Sequence, residues 1–341
     1  MKDIWQYLKE TEKPIVLYGT GNGADKIYAR LLKEDIKISG IFASLGFKKG
    51  KEFFGFTVTS YEDLKSKLGD MIVLCCFGSH LENVIKDILK IGEDSELYLP
   101  DVPVYGQEIF DISFAREHKY ELTKVYNMLA DSQSKKVFEN TVYYKLTGRA
   151  EYLLCCETPY GETMDIIKPN GEAYLDLGAY SGDTVFEFIE YDKNYKSITA
   201  LEPDERNFRK LKKNTENLKS ITLINGAVSD KDGVIKMSKN KGRGNSSTGE
   251  TTEINAFSID NMTKENPPTF IKMDVEGSEL SAIKGAKEKL SHKPKMQIAC
   301  YHRSEDLFSL PLEVLRLNPN YKIYMRRQRC LPAWDINYIF I

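Results

Sequence analysis

The sequence predicts an α/β protein built on two parallel sheets, one in each half of the chain. Three observations predict it. Short apolar runs of strand length alternate with amphipathic helical stretches along most of the 341 residues. A glycine turn follows the first strand-like run of each half, at Gly19-Thr-Gly-Asn-Gly-Ala24 and at Gly178-Ala-Tyr-Ser-Gly-Asp183. Later runs in the second half also end in polar residues or glycine, and open α/β sheets build ligand sites at that carboxyl edge. The expected organisation is an N-terminal Rossmann-like parallel sheet over 1–110, a helical connector over 111–150, and a second α/β domain over 151–341 that ends in an antiparallel hairpin.

Length and composition bound the function. Two cores fit in a chain of this size. With 48 basic and 50 acidic residues the net charge is −2, so bulk charge points to neither nucleic acid nor an anionic membrane. No apolar run approaches the ~20 residues of a membrane span, and Met1-Lys-Asp-Ile-Trp5 does not read as a signal peptide. A cytoplasmic location is the expectation. Cysteines fall at 75, 76, 155, 156, 300 and 330. Adjacent pairs cannot form the Cys-x-x-Cys grip of zinc, and core packing is their expected role.

In the first half, Pro14-Ile-Val-Leu-Tyr18 reads as a strand, and Ile27, Leu31 and Leu32 mark the helix after the turn. Gly19-Thr-Gly-Asn-Gly-Ala24 fits the relaxed fingerprint Gly-x-Gly-x-x-Ala. Two readings stand: the glycines allow close helix–sheet packing, or they cradle a second nucleotide or a nucleotide sugar. The acid that would grip a ribose is missing, because the strand Ile38–Phe42 runs into Ala43-Ser-Leu-Gly46. Lys48, Lys49 and Lys51 follow, as a solvated loop or a phosphate contact. Ser60 opens a helix over Tyr61–Leu68 with Asp63 as its capping partner. Asp70–Phe77 reads as a strand buried on both faces, Leu81–Ile91 as a helix and Glu96–Leu99 as the last strand of this sheet. His80, in the turn after Phe77, reads as an ordinary helix-start residue. Phe114, Leu122, Val125, Tyr126 and Leu129 then mark one helical connector segment. Asp131-Ser-Gln-Ser134 breaks it and caps a second carrying Val137, Phe138, Val142 and Leu146.

The second half turns on Glu172–Thr184, a strand, a glycine turn and a helix. Its spacing, Asp-x-Gly-x-x-x-Gly-Asp, is neither the dinucleotide nor the triphosphate pattern. That leaves a ligand with an adenosine and little phosphate. Glu202, with Pro203 at the end of Ser197–Glu202, stands where doubly wound sheets keep the acid that holds ribose hydroxyls. The basic residues of the helix after Asp204 read as a solvated face. Further strands are Ile221–Ile224, ending in Asn225-Gly-Ala227, and Thr269–Met273, ending in Asp274-Val-Glu-Gly277. Lys239–Thr252 is nearly devoid of apolar residues. It is either a substrate loop, with Arg243, Asn245 and Ser246 as contacts, or a surface insertion.

Phe270-Ile-Lys-Met-Asp-Val-Glu-Gly-Ser-Glu-Leu280 with Ile283-Lys-Gly-Ala286 resembles the signature of the FkbM family of methyltransferases. So do Tyr301-His-Arg303 with Glu305-Asp-Leu307, and the Tyr321–Arg326 run. The resemblance covers the second half of the chain. It implies a class I S-adenosylmethionine (SAM) methyltransferase fold, SAM as cofactor and transfer to oxygen, with Tyr160-Gly-Glu-Thr163 near the cofactor. Asp176 would then fix the turn or meet the methionine end, and the backbone of Gly178, Tyr180, Gly182, Asp183 and Thr184 would approach the cofactor. Glu202 would accept the ribose hydroxyls, Asn225, Gly226 and Ala227 would line the adenine, and Asp274 would border the cofactor. The N-terminal sheet tilts the acceptor toward a sugar, a glycan intermediate or a related small molecule.

An alcohol is a poor nucleophile until it loses its proton, so a base is expected beside the methyl group. His302 is the candidate, because an ordinary imidazole is largely neutral at pH 7. Asp274 or Glu276 would orient it, and Tyr301 would touch substrate. Glu279 reads as a helix cap. Asp274, Glu276 and His302 would also suit a divalent cation, but spacing alone assigns no metal. Arg326, Arg327 and Arg329 read either as contacts to an acidic substrate or as edge-strand charge. The rivals are a dinucleotide oxidoreductase using Gly19–Ala24 and a nucleotide-sugar-binding sensor without turnover.

Overall fold

Apolar runs too short for helices, closed by glycine or polar residues, become the strands of two parallel sheets. The structure, a computed structural model, describes residues 2–44, 50, 52–238 and 251–341. In the first sheet, β1 (Ile15–Tyr18), β2 (Gly40–Phe42), β3 (Ile72–Cys75) and β4 (Glu96–Tyr98) are parallel in the order β2-β1-β3-β4. Every residue of β1 and β3 is buried, as continuous apolar runs require when helices cover both faces. Helices Asn22–Lys33, Tyr61–Leu68 and Glu82–Asp94 return the chain. The second of these begins with a complete capping box between Ser60 and Asp63.

The second sheet comprises β5 (Ala173–Leu177), β6 (Ser197–Glu202), β7 (Ile221–Asn225), β8 (Phe270–Met273), β9 (Lys295–Ala299), β10 (Ile323–Arg327) and β11 (Ile336–Phe340). Their order is β10-β11-β9-β8-β5-β6-β7, parallel except for the β10/β11 hairpin. Chain direction across the sheet reverses at β5, between β6 and β8, so the ends of these strands form the switch-point crevice. Ala227–Val228, Gly233–Ser238 and Thr251–Phe257 make a small separate sheet.

Between the sheets lie helices Ile112–Glu117, Lys119–Met128 and Ser132–Thr147. The break falls at Asp131, whose carboxylate accepts from the Ser134 amide. This helical segment covers the outer strand β10. Leu129 bridges Ile323, the Ala130 amide donates to the Ile323 carbonyl, and the Met325 amide donates to Ser134 Oγ. A covered edge cannot template pairing with another chain. The arginines of β10 are therefore not exposed edge charge. Arg326 is buried, with Nε 2.7 Å from Glu162 and Nη2 2.7 Å from Asp131. Arg327 is also buried and donates to the Leu153 carbonyl and Glu157. Arg329 pairs at the surface with Glu82 and Glu157.

The carboxyl edges of the two sheets face one another. The Ser79 amide, beyond β3, donates to the Leu331 carbonyl, and the Leu331 amide donates back to Ser79. The Tyr105 amide, beyond β4, donates to the His302 carbonyl, and Ser304 Oγ donates to the Glu108 carbonyl. Among the described residues no helix is long and apolar enough to cross a membrane.

Replacing Arg326 with alanine leaves Asp131 and Glu162 without their shared cation. It should cost about 3 kcal/mol in urea unfolding. An unchanged midpoint would show that the ion pairs do not hold the helical segment on β10.

Candidate active site

β5 carries an aspartate and β8 a lysine inside otherwise apolar strands, and pairing puts them side by side: Asp176 is in register with Lys272. Asp176 is fully buried, and its Oδ1 lies 3.7 Å from Lys272 Nζ without a hydrogen-bond partner. Its Oδ2 accepts from Thr184 Oγ1 at the start of the helix Asp183–Tyr191. Burial raises the Asp176 pKa, with Lys272 opposing. Burial also pulls the Lys272 ammonium down, but Asp176, Asp274, Asp183 and Asp335 outweigh it and the net shift is upward. Of the two roles expected for Asp176, fixing the turn is the one these contacts perform.

The turn itself is wound through left-handed backbone. Gly178, Tyr180 and Gly182 have φ of 87°, 48° and 95°. A Cβ on Gly178 would lie 1.9 Å from the Asp274 carbonyl oxygen, so this position needs glycine for space as well as for φ. Glu202 reaches back to the turn. Its Oε2 accepts from the Tyr180 amide and its Oε1 from the Asp204 amide, each at 2.9 Å. Burial pushes its pKa up to about 7 against those two amides and the Asn207 side chain. Burial still outweighs these donors, and a pair of hydroxyls would add to them. Glu202, the partnerless Asp176 oxygen and the wound turn thus fit an adenosyl ligand.

The next strand end, expected to line the adenine, makes the following contacts. Asn225 donates its amide to the Glu202 and Pro203 carbonyls. Gly226 is required by packing, since a Cβ there would lie 2.6 Å from the Phe257 ring and 2.8 Å from the Asn255 carbonyl. Ala227 pairs with Ala256 in the small sheet. These three residues tie loops together beside the Glu202 end. Arg243, Asn245 and Ser246 lie outside the described residues, as do Lys48, Lys49 and Lys51.

Asp274, Tyr301 and His302 converge. Tyr301 Oη donates toward both Asp274 oxygens at 3.2 Å. His302 is 1% exposed, with Nε2 3.4 Å from Asp274 Oδ1 and Nδ1 2.9 Å from Glu279 Oε1. Desolvation lowers its pKa, but Glu279, Asp274 and Glu276 outweigh this and raise it to about 9. The premise of a largely neutral imidazole at pH 7 is therefore corrected: between two carboxylates it is an imidazolium. Glu279 is not simply an exposed helix cap. It is fully buried, accepts from the Val275 amide and faces the ring. Glu276 is 81% exposed and stands 3.9 Å from Nε2, so Glu279 is the carboxylate nearest the ring. Asp274, Glu279 and His302 are close enough together for a cation. The two ring nitrogens face different carboxylates, however, which suits two N–H donors better than one metal bond.

Sequence reasoning missed Lys272, Glu279 and the segment that covers the site. The signal for Lys272 was a lysine inside a buried strand, which needs a partner. Tyr105 packs on Gly277, where a Cβ would meet it at 2.7 Å, and the Arg303 guanidinium lies 4.5 Å from the Tyr105 ring. Lys26, near Glu276, donates to the carbonyls of Pro103 and Val104. In the N-terminal turn, a Cβ on Gly23 would lie 2.1 Å from the Cys76 carbonyl. Close helix–sheet packing thus accounts for that glycine.

A sheet in this order, with polar groups at the ends of its first, second and fourth strands, is the fold of a class I methyltransferase. The sequence narrows the class to a family. Residues 176–322 match the family model described as the methyltransferase FkbM domain. Residues 11–96 match a model described as C2185-like, N-terminal. A crystal structure of methyltransferase FkbM from Methylobacillus flagellatus KT aligns at TM-score 0.72 and 22% identity, covering 96% of this chain and 90% of that one. Partial resemblances, each at 1.00 probability but low TM-score, include precorrin-6y C5,15-methyltransferase from Geobacter metallireducens GS-15 and Aeropyrum pernix fibrillarin with bound S-adenosyl-L-methionine. The former has TM-score 0.35 and 13% identity over 53% of this chain and 84% of that one. The latter has 0.36 and 14% over 51% and 68%. No curated protein matches the chain.

Gly178→Ala should destabilise by roughly 3 kcal/mol or more, because the Asp274 carbonyl has no room to retreat. A melt within a degree of wild type would contradict the close approach. Glu202, raised from 4.5 to about 7, holds more proton folded than unfolded between those values. Its contribution to stability is therefore complete below about pH 4.5 and falls by up to about 3 kcal/mol as pH rises to 7. Unfolding curves of Glu202→Gln should lack that fall.

Proposed function

We propose that the protein is a SAM-dependent methyltransferase acting on a hydroxyl oxygen of a small polar acceptor, a sugar or glycan intermediate being the first class to test. The observation that carries this reading is the reach of Glu202 to the Tyr180 amide, one strand away from an Asp274–His302 pair that opens on the same edge. The family of residues 176–322 supports methyl transfer, and the contacts support the division of labour. When bound, SAM supplies an electrophilic methyl group on a sulfonium.

Glu202 holds two ribose hydroxyls in this reading, and Lys272 with Asp176 keeps the turn rigid beneath them. Asp274 and Tyr301 are the partly exposed members of the group, so the acceptor hydroxyl meets these two before the buried His302. Tyr301 and His302 fix the Asp274 carboxylate in place, and His302 holds a proton behind it at neutral pH. Deprotonating His302 frees its imidazole to take the acceptor's proton.

Two outcomes follow. Calorimetry should show SAM and its demethylated product binding with release of a proton near pH 7, because donors to Glu202 favour its charged form. The release appears as a dependence on buffer ionisation heat, and Glu202→Gln should weaken binding by about 100-fold. No heat of binding, or an unchanged affinity in the variant, would sink the assignment of this pocket. With labelled methyl donor and a panel of hydroxylated saccharides, kcat/KM should rise with pH through an apparent pKa near 9. His302→Gln should lose about 100-fold or more in rate together with that limb. A limb that persists in the variant would remove His302 from the proton path.

A further inference from the structure

A second cluster of metal-ligating side chains, made of residues other than the Asp274, Glu279 and His302 set, lies where the two sheets are joined. His80 follows β3, and Cys330 and Asp335 lie in the loop between β10 and β11. His80 Nδ1 is 2.9 Å from Asp335 Oδ2. One ligand atom from each of the three residues lies within 4.8 Å of the other two. A tetrahedral centre with bonds of about 2.0–2.3 Å holds its ligand atoms roughly 3.3–3.7 Å apart. Small side-chain rotations therefore bring all three onto one ion.

We propose that His80, Cys330 and Asp335 bind a zinc-class dication, with the fourth position open to solvent. The donor set argues for this class. A thiolate with an imidazole and one carboxylate suits zinc or cobalt, whereas magnesium and calcium take oxygen. The scaffold is set beforehand. The Ser79 and Leu331 backbones exchange two hydrogen bonds. A Cβ on Gly78 would lie 2.6 Å from the Trp334 ring and 2.8 Å from Pro332, so the two loops are already pressed together. Cys330 is buried, while the His80 side chain is half exposed and leaves the ion a way in. The ion would clip the N-terminal sheet to the final hairpin on the edge that carries Asp274 and Tyr301, and Asp335 is near enough to these to raise the Tyr301 pKa. The histidine that reads from sequence as an ordinary turn residue thus acquires a partner set drawn from the other end of the chain.

The test uses the full chain, purified without chelator and with any affinity tag removed. Elemental analysis should find about one equivalent of zinc, and the chelated protein should take up one equivalent of cobalt. Bound cobalt should give a thiolate charge-transfer band in the near ultraviolet and tetrahedral bands in the visible. Cys330→Ser should lose the near-ultraviolet band. His80→Asn should weaken uptake by about 100-fold, measured at a temperature where circular dichroism shows the metal-free variant folded. If Cys330→Ser does not fold, the histidine variant decides. A chain that takes up no zinc or cobalt overturns the proposal. So does uptake as in wild type by the histidine variant, which would move the ion to Asp274, Glu279 and His302 or elsewhere and leave His80 and Asp335 as an ion pair.

Discussion

The approach of the Asp274 carbonyl to Gly178 sets the spacing on which the rest of the site depends. Two adjacent parallel strands, β5 and β8, end within van der Waals reach because one of them has no side chain there. Their pairing aligns Asp176 with Lys272 one turn of pleat earlier, and the loops beyond then part in opposite directions. The turn after β5 curls toward β6 and meets Glu202. The loop after β8 curls toward β9 and brings Asp274 to Tyr301 and His302. A side chain at residue 178 would push these two halves of the site apart.

Charge removed from water is handled in the same way throughout. Three buried groups have an opposite partner from a distant part of the sequence: Asp176 with Lys272, Glu279 with His302, Arg326 with Asp131 and Glu162. Desolvation is costly for such groups, and only close pairing offsets it. His302 shows the functional consequence. Its two flanking carboxylates stand 2.9 Å from Nδ1 and 3.4 Å from Nε2, and they hold its proton more tightly than solvent would. Precision of placement and basicity at neutral pH are opposed here, and the fold favours placement.

Much of this architecture could be read from the chain because its signals are local. Strand lengths, the two glycine turns, the Ser60 cap and the break at Asp131 depend on neighbours a few residues apart. The convergence of Asp274, Tyr301 and His302 was legible because parallel strands bring their carboxyl ends to one edge. Whatever depended on a long-range partner was not. The Asn225–Ala227 segment has the composition of a ligand-lining loop, yet Gly226 answers to Phe257 packing. Glu279 has the position of a helix cap, but the cavity behind it holds an imidazole. Arg326 and Arg327 have the look of surface charge until the helix over them is known, whereas Arg329 does lie at the surface. In these cases residue type was informative and direction was not, because direction is decided by what packs against the element.

The buried arginines of β10 have a consequence for inheritance. Their partners, Asp131, Glu157 and Glu162, fall on both sides of residue 150, where one would cut to exchange the first half for another. A chimaera joined there would carry Arg326 into a foreign helix lacking its acid, and would begin life with an uncompensated guanidinium in its interior. The M. flagellatus FkbM structure, alike over 96% of this chain, spans both halves as well. The two halves are thus joined by buried charge as well as by the chain itself.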